Sequence, residues 1–158
     1  MQQVCPFLWY NDKAEEAVNL YVSLFDGARI VTTNRWNAGS PYPEGSVMSI
    51  GFELDGRAYQ AFNGGPEFPF TEAISLFVNV ETQAEVDELW EGLTANGGEP
   101  GPCGWLKDPY GLSWQIVPTA LVELMADPDP GRAGRAVEAM MKMSKIDIAA
   151  LYAAADGK

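Results

Sequence analysis

Between Val4 and Val117 the chain passes through one order of elements twice, and this constrains the fold more than any other feature. Val4 to Tyr10 is apolar and aromatic and reads as a strand, and Lys13 to Phe25 reads as a helix. In that helix Ala17, Leu20, Tyr21 and Leu24 follow the i, i+3, i+4, i+7 spacing of one buried face. Gly27 is a stop signal, and Ala28 to Trp36 is β-branched and reads as a second strand. Asn37 to Gly45 is a Gly/Pro-rich loop, and Val47 to Leu54 alternates as a half-buried strand does. Asp55-Gly56 is a strong two-residue hairpin signal, so Arg57 to Asn63 is the returning strand. The order β-α-β-β-β then begins again. Ile74 to Val80 alternates, and Thr82 with Glu85 forms a capping box. The helix that follows has the face Val86, Leu89, Trp90, Leu93 and stops at Asn96-Gly97-Gly98. A short segment from Gly101 to Leu106, the turn Asp108-Pro109-Tyr110-Gly111 and the strand Leu112 to Val117 complete it.

Counting supports a divergent duplication. A shift of 69 residues carries Ala17, Leu20, Tyr21 and Leu24 onto Val86, Leu89, Trp90 and Leu93, and Phe7 and Trp9 onto Leu76 and Val78. A shift of 55 carries the segment Gly56 to Phe62 onto Gly111 to Val117, pairing Gln60 with Gln115. The expected fold is therefore α+β: two βαβββ modules (1–66 and 70–118) in one domain, followed by a helical tail from 119 to 158. In the tail, Leu121 to Ala126 reads as a short helix. Asp129 caps a helix with Pro130 at its first position, running from Gly131 to Ser144, and Asp147 caps a last helix from Ile148 to Ala155. Val137, Met140, Met141 and Ser144 are expected to pack on the body of the protein or on a second subunit.

Composition narrows the function. At 158 residues with 47% hydrophobic and 20% charged residues, the chain can bury one ordinary core. The formal net charge of −12 repels phosphate backbones and anionic lipid, which argues against nucleic-acid or membrane work and favours cationic partners. No apolar run approaches a membrane span, and the opening Met1-Gln2-Gln3-Val4-Cys5-Pro6 has neither the basic region nor the small-residue cleavage site of a secretory signal. A cytoplasmic protein is expected, with Cys5 and Cys103 reduced. With no histidine in the chain, neither thiol has an imidazole to activate it.

The duplicated module with an Asp-Pro-x-Gly turn before its last strand resembles the vicinal oxygen chelate superfamily, which includes the glyoxalase I, extradiol dioxygenase and bleomycin-resistance families. The stretches Cys5 to Tyr10, Asn63-Gly64-Gly65-Pro66, Cys103 to Asp108 and Lys145 to Leu151 resemble its PhnB-like branch, many of whose members carry the label 3-demethylubiquinone-9 3-methyltransferase-like. The resemblance implies sheets wrapped around a cleft, and a homodimer. Metal-dependent relatives place histidines and glutamates on the first and fourth strands of each module; the matching positions here are Pro6, Gln60, Ser75 and Gln115. None is a strong ligand for a transition metal, so no metal and no cofactor are expected.

Strand alternation assigns Leu8, Tyr10, Phe62, Ser75, Phe77, Asn79 and Ser113 to the cleft side with the two glutamines, and Phe7, Trp9, Ile74, Leu76, Val78 and Trp114 to the helix side. Gln60, Gln115, Ser75, Tyr10, Phe62 and Phe77 are therefore the candidate ligand-binding residues: polar groups among aromatic walls. Three functions compete: a metal-independent small-molecule binding protein, an enzyme on a small polar metabolite with Tyr10 or Glu53 as base, and a structural or regulatory homodimer. Methyl transfer lacks its motif, because neither Gly64-Gly65 nor Gly97-Gly98 stands between a strand and a helix start.

Overall fold

The computed structural model describes residues 3–158, and the first two residues of the segment read for a leader lie outside them. The chain divides into two compact units, one ending at Phe70 and the other beginning at Thr71.

The first unit runs β1 (Phe7–Tyr10), α1 (Ala14–Leu24), β2 (Arg29–Arg35), β3 (Val47–Leu54) and β4 (Arg57–Asn63). Its sheet has the order β1-β4-β3-β2, with β1 parallel to β4 and the other pairs antiparallel. The β3–β4 hairpin turns on Asp55 and Gly56, both at positive φ (48° and 68°), the geometry that Asp-Gly supplies cheaply. One sheet face carries Leu8, Tyr10, Ile50, Phe52 and Ala61, all buried, and α1 covers it with Ala14, Ala17, Val18 and Tyr21. The buried stripe of α1 is rotated from the expected one: Leu20 and Leu24 are only half buried, while Ala14 and Val18 are fully enclosed. The start of α1 is held from outside the helix, since Asn63 Oδ1 on β4 accepts from Ala14 N at 2.8 Å.

The second unit repeats the plan with β5 (Ser75–Val80), α2 (Gln83–Thr94), β6 (Glu99–Pro100), β7 (Trp105–Lys107) and β8 (Ser113–Pro118), in the order β5-β8-β7-β6. Again the first and last strands pair in parallel. The helix α2 has its expected cap and its expected buried face: Thr82 accepts from Glu85 N, the Glu85 side chain reaches back, and Val86, Leu89, Trp90 and Leu93 are enclosed. The Asp108 turn is held by its own buried side chain. Its carboxylate, 2% exposed, accepts from Tyr110 N, Leu112 N and the Trp114 indole N–H.

Three helices follow, α3 (Thr119–Met125), α4 (Pro130–Met140) and α5 (Ile148–Ala155). Asp129 and Asp147 cap α4 and α5 through Gly131 N and Ala150 N. α4 stops at Met140, short of Ser144, because three-residue turns then close on the Ala139 and Met140 carbonyls, which accept from Lys142 N and Met143 N. Consequently Met141 is 67% exposed, and the apolar contacts are made by Ala136, Ala139, Met140 and Met143. These join Val117, Leu121, Leu124, Ile146, Leu151 and Ala155 in a second small core. The tail is thereby part of the second unit. Among the described residues no helix is long and apolar enough to cross a membrane.

Candidate functional site

Each sheet turns one face to its helix; the opposite face carries the two glutamines, and in the second sheet the tail closes over its Val117 end. Parallel register puts Phe7 beside Gln60 and Trp9 beside Phe62, so these four share the open face of the first sheet. Antiparallel register adds Ser49 and Gly51 from β3, and Thr32 and Asn34 from β2.

Gly51 makes room for Gln60. A Cβ built there would come within 2.6 Å of Thr32 Oγ1 and 3.3 Å of Gln60 Nε2, so the Gln60 amide lies over bare backbone beside a hydroxyl. Aromatic rings share its face. Phe62 meets Trp9 edge-on at 5.1 Å, Phe7 at 5.6 Å and Trp36 at 6.2 Å. Trp36 in turn stacks on Tyr42 at 4.6 Å, and Phe68 meets Trp9 edge-on at 5.1 Å. The Trp9 indole N–H donates to Gly65 O at 2.9 Å, and its ring occupies the space where any Cβ on Gly64 would go. At the far end of this face Arg29 Nε pairs with Glu53 Oε2 at 2.8 Å.

In the second sheet Ser75, Phe77 and Asn79 share a face with Ser113, Gln115 and Val117. Here the glutamine is engaged: Gln115 Nε2 donates to Ser75 Oγ at 3.0 Å. Phe77 is 56% exposed. Trp105 and Lys107 lie on the same face, opposite Gln115 and Ser113. Lys107 Nζ pairs with Glu72 Oε1 at 2.6 Å; that bond, with the fields of Glu72 and Glu99, holds the ammonium above the ordinary lysine range, and Glu72 is held below the usual carboxylate range.

The structure therefore brings Gln60 with Phe62, and Gln115 with Ser75 and Phe77, onto one face in each unit. It removes Tyr10 and Leu8. Tyr10 is 3% exposed on the helix-facing side, its hydroxyl 2.9 Å from that of Tyr21 on α1. Phe7 and Trp9, expected under the helix, are on the open face instead, with Phe7 59% exposed. Ile74 is 54% exposed and precedes β5, whereas Trp114 is buried as expected. The physical reason is a slip of one residue. Gln60 pairs with Phe7 and Gln115 with Phe77, so the first strands are offset by 70 residues, not 69. Because side chains alternate with period two, that single step reverses every residue of β1. The same step puts Cys5, not Pro6, in the place equivalent to Ser75.

The positions that the resemblance equates with metal ligands thus hold an exposed thiol (Cys5), a hydroxyl and two neutral amides. That donor set does not fit a transition metal, which needs imidazole, carboxylate or several thiolates. Among the described residues no group of three or more Cys, Asp or Glu side chains is placed to hold a metal ion. Sequence reasoning missed Thr32, Trp36, Tyr42 and Phe68, because β2 and the loops around 36–46 and 64–70 lie outside the duplicated pattern that located the glutamines.

Residues 2–117 match the family described as 3-demethylubiquinone-9 3-methyltransferase. No curated protein matches the chain. Among solved structures, a PhnB protein from Bacillus cereus, described as a putative 3-demethylubiquinone-9 3-methyltransferase, is 35% identical, covering 75% of this chain and 100% of its own, with a TM-score of 0.67. Protein PA1353 from Pseudomonas aeruginosa is 22% identical over 75% of this chain and 98% of its own, with a TM-score of 0.60, and shares the fold. So does the fosfomycin resistance protein FosX from Listeria monocytogenes, 16% identical over 78% of this chain and 97% of its own, with a TM-score of 0.52. With its twice-repeated strand order and this match over most of its length, the chain belongs to the PhnB-like, 3-demethylubiquinone-9 3-methyltransferase-like family.

Proposed function

We propose that this chain is a metal-independent small-molecule binding protein, its ligand lying against the open face of a module sheet. The observation that carries the proposal is the Gln60 amide resting over Gly51 among Phe7, Trp9, Phe62 and Trp36. A side-chain amide offers two donors and an acceptor, and aromatic walls around a few polar groups are the usual composition of a small-molecule site. The formal net charge of −12 favours a cationic ligand, which the tryptophan faces would also attract.

Catalysis is the weaker reading. Tyr10 is engaged with Tyr21 under α1, and Glu53 is engaged with Arg29, so neither candidate base is poised for proton transfer. Methyl transfer is no part of the proposal: Gly64-Gly65 leaves β4 for a loop, Gly97-Gly98 closes α2, and neither cradles a cofactor before a helix. Homodimerisation is proposed alongside binding, because β2 is an edge strand exposed along all seven residues, with Ile30 and Val31 in solvent.

A ligand library followed by tryptophan fluorescence tests the binding reading. Gln60→Ala is expected to weaken the best ligand by roughly tenfold, the scale of one well-placed hydrogen bond, with unchanged circular dichroism. Ligands whose affinity is indifferent to Gln60 and to Trp9→Leu would sink it. Light scattering at several concentrations reports the dimer.

A further inference from the structure

The second unit contains a cavity that the Gln60 face does not include. It measures about 410 Å³, within the range of small-molecule sites, and is lined by Glu72, Glu99, Pro100, Pro102, Trp105, Lys107 and Ser113 among others. Ser113 is the unusual member. It is 1% exposed, and among the described residues its hydroxyl has no hydrogen-bond partner. Buried hydroxyls are nearly always satisfied, so this one points to something that binds there. Its sheet neighbours do not supply the bond: Ser75 accepts from Gln115, and Lys107 is drawn to Glu72.

Charge narrows the ligand. Lys107 sits between Glu72 and, directly across β6–β7, Glu99. Two carboxylates face one ammonium, so an arriving anion meets a cation already compensated and a surplus negative charge. An arriving cation finds one carboxylate in excess, and the Trp105 ring beside it. Pro100 and Pro102 complete an apolar wall.

We propose that this cavity binds a small primary amine with an apolar body. The ammonium N–H donates to Ser113 Oγ in the field of Glu72 and Glu99, and the body packs on Trp105 and the two prolines. A quaternary ammonium would lack the N–H that Ser113 needs, and an alcohol would leave the surplus carboxylate unused.

The test compares 2-phenylethylamine, 2-phenylethanol and phenylacetate by titration calorimetry and by shifts of backbone amide resonances in the full chain. They share the apolar body and differ in the charge of the head. The amine is expected to bind at least tenfold tighter than phenylacetate, with shifts centred on β6 to β8. Ser113→Ala should weaken the amine roughly fivefold without lowering Tm, since it removes an unpaired buried hydroxyl. Glu99→Gln should weaken it about threefold, whereas Glu138→Gln, the same charge change on α4, should not. Gln60→Ala should leave this affinity untouched, which separates the cavity from the Gln60 face. Equal affinity for amine and phenylacetate, no saturable amine binding, or full affinity in Ser113→Ala would overturn the assignment.

Discussion

On the first sheet a glutamine leans over a glycine among aromatic rings. On the second, its counterpart is tied to a serine hydroxyl, and the neighbouring strands carry charge. Strand order, the parallel closure of first on fourth strand, and the covering helix are the same in both. The duplication has conserved the ladder and let the open faces diverge. Backbone hydrogen bonds tolerate nearly any side chain on a solvated face, while the helix-facing residues must fill a fixed volume. The corners have diverged in the same way. The first module turns on an exposed Asp55-Gly56 hairpin, the second on a buried carboxylate accepting three hydrogen bonds.

That contrast in corners should give the largest measurable effect. Asp108→Ala removes the buried acceptor of two backbone N–H groups and an indole N–H, and is expected to cost about 3 kcal/mol or more in urea denaturation, against about 1 kcal/mol for Asp55→Ala. Equal losses would mean that the corners are energetically alike. The next test is steric. Gly64→Ala puts a Cβ about where the Trp9 ring lies, so Trp9 must move; a cost of about 1–3 kcal/mol and a shifted tryptophan emission are expected. No counterpart effect is expected at Gly97, where a Cβ meets open space, beyond the strain of its positive φ.

Helix starts offer a finer comparison. α1 is capped at a distance by Asn63, which also donates to Val47 O, whereas α2 is capped locally by Thr82 and Glu85. Asn63→Ala should cost about 1–2 kcal/mol and Thr82→Ala about 1 kcal/mol, and only the first should also loosen the β3–β4 pair in amide exchange. The smallest effect is a pH dependence. Glu85 is held below its ordinary value of 4.5, first by the Thr82 and Glu81 backbone N–H bonds and then by the Thr82 hydroxyl. Its contribution is therefore fully present above pH 4.5 and fades as pH falls through the lower folded value. Glu85→Gln should flatten that part of an acid denaturation curve; an unchanged curve would show that the cap contributes nothing through charge.

What could be read from the chain, and what could not, follows the same physics. Asp55-Gly56, Thr82 with Glu85, Asp129-Pro130 and Asp147 each carry a local mechanism, and each is found where that mechanism requires. Register is not local. An offset of 69 taken from helix periodicity missed both elements: the buried faces of α1 and α2 align at 72, Ala14, Ala17, Val18 and Tyr21 onto Val86, Leu89, Trp90 and Leu93, and β1 aligns with β5 at 70, the single residue that reversed its two faces. Gln60 and Gln115 were legible because an aligned glycine, aromatic and glutamine precede each strand end in step. Trp36 and Phe68, on connections without a counterpart, carry no such pattern, and neither do Glu72 and Lys107, which meet only because β7 and the segment before β5 converge on one face.

The tail has a consequence for how the molecule breathes. The Gln83 side chain of α2 donates to Ile146 O and accepts from Ile148 N, as a peptide group of a neighbouring strand would. On the other side Cys103 N and Gly104 N donate to Met143 O and Ser144 O. A terminal segment stitched through its backbone at four points cannot fray residue by residue; it opens only when the second module lets go. Its amides should therefore exchange with solvent as one cooperative unit with α2 and β7, making the last forty residues a kinetic partner of the duplicated frame rather than an appendage to it.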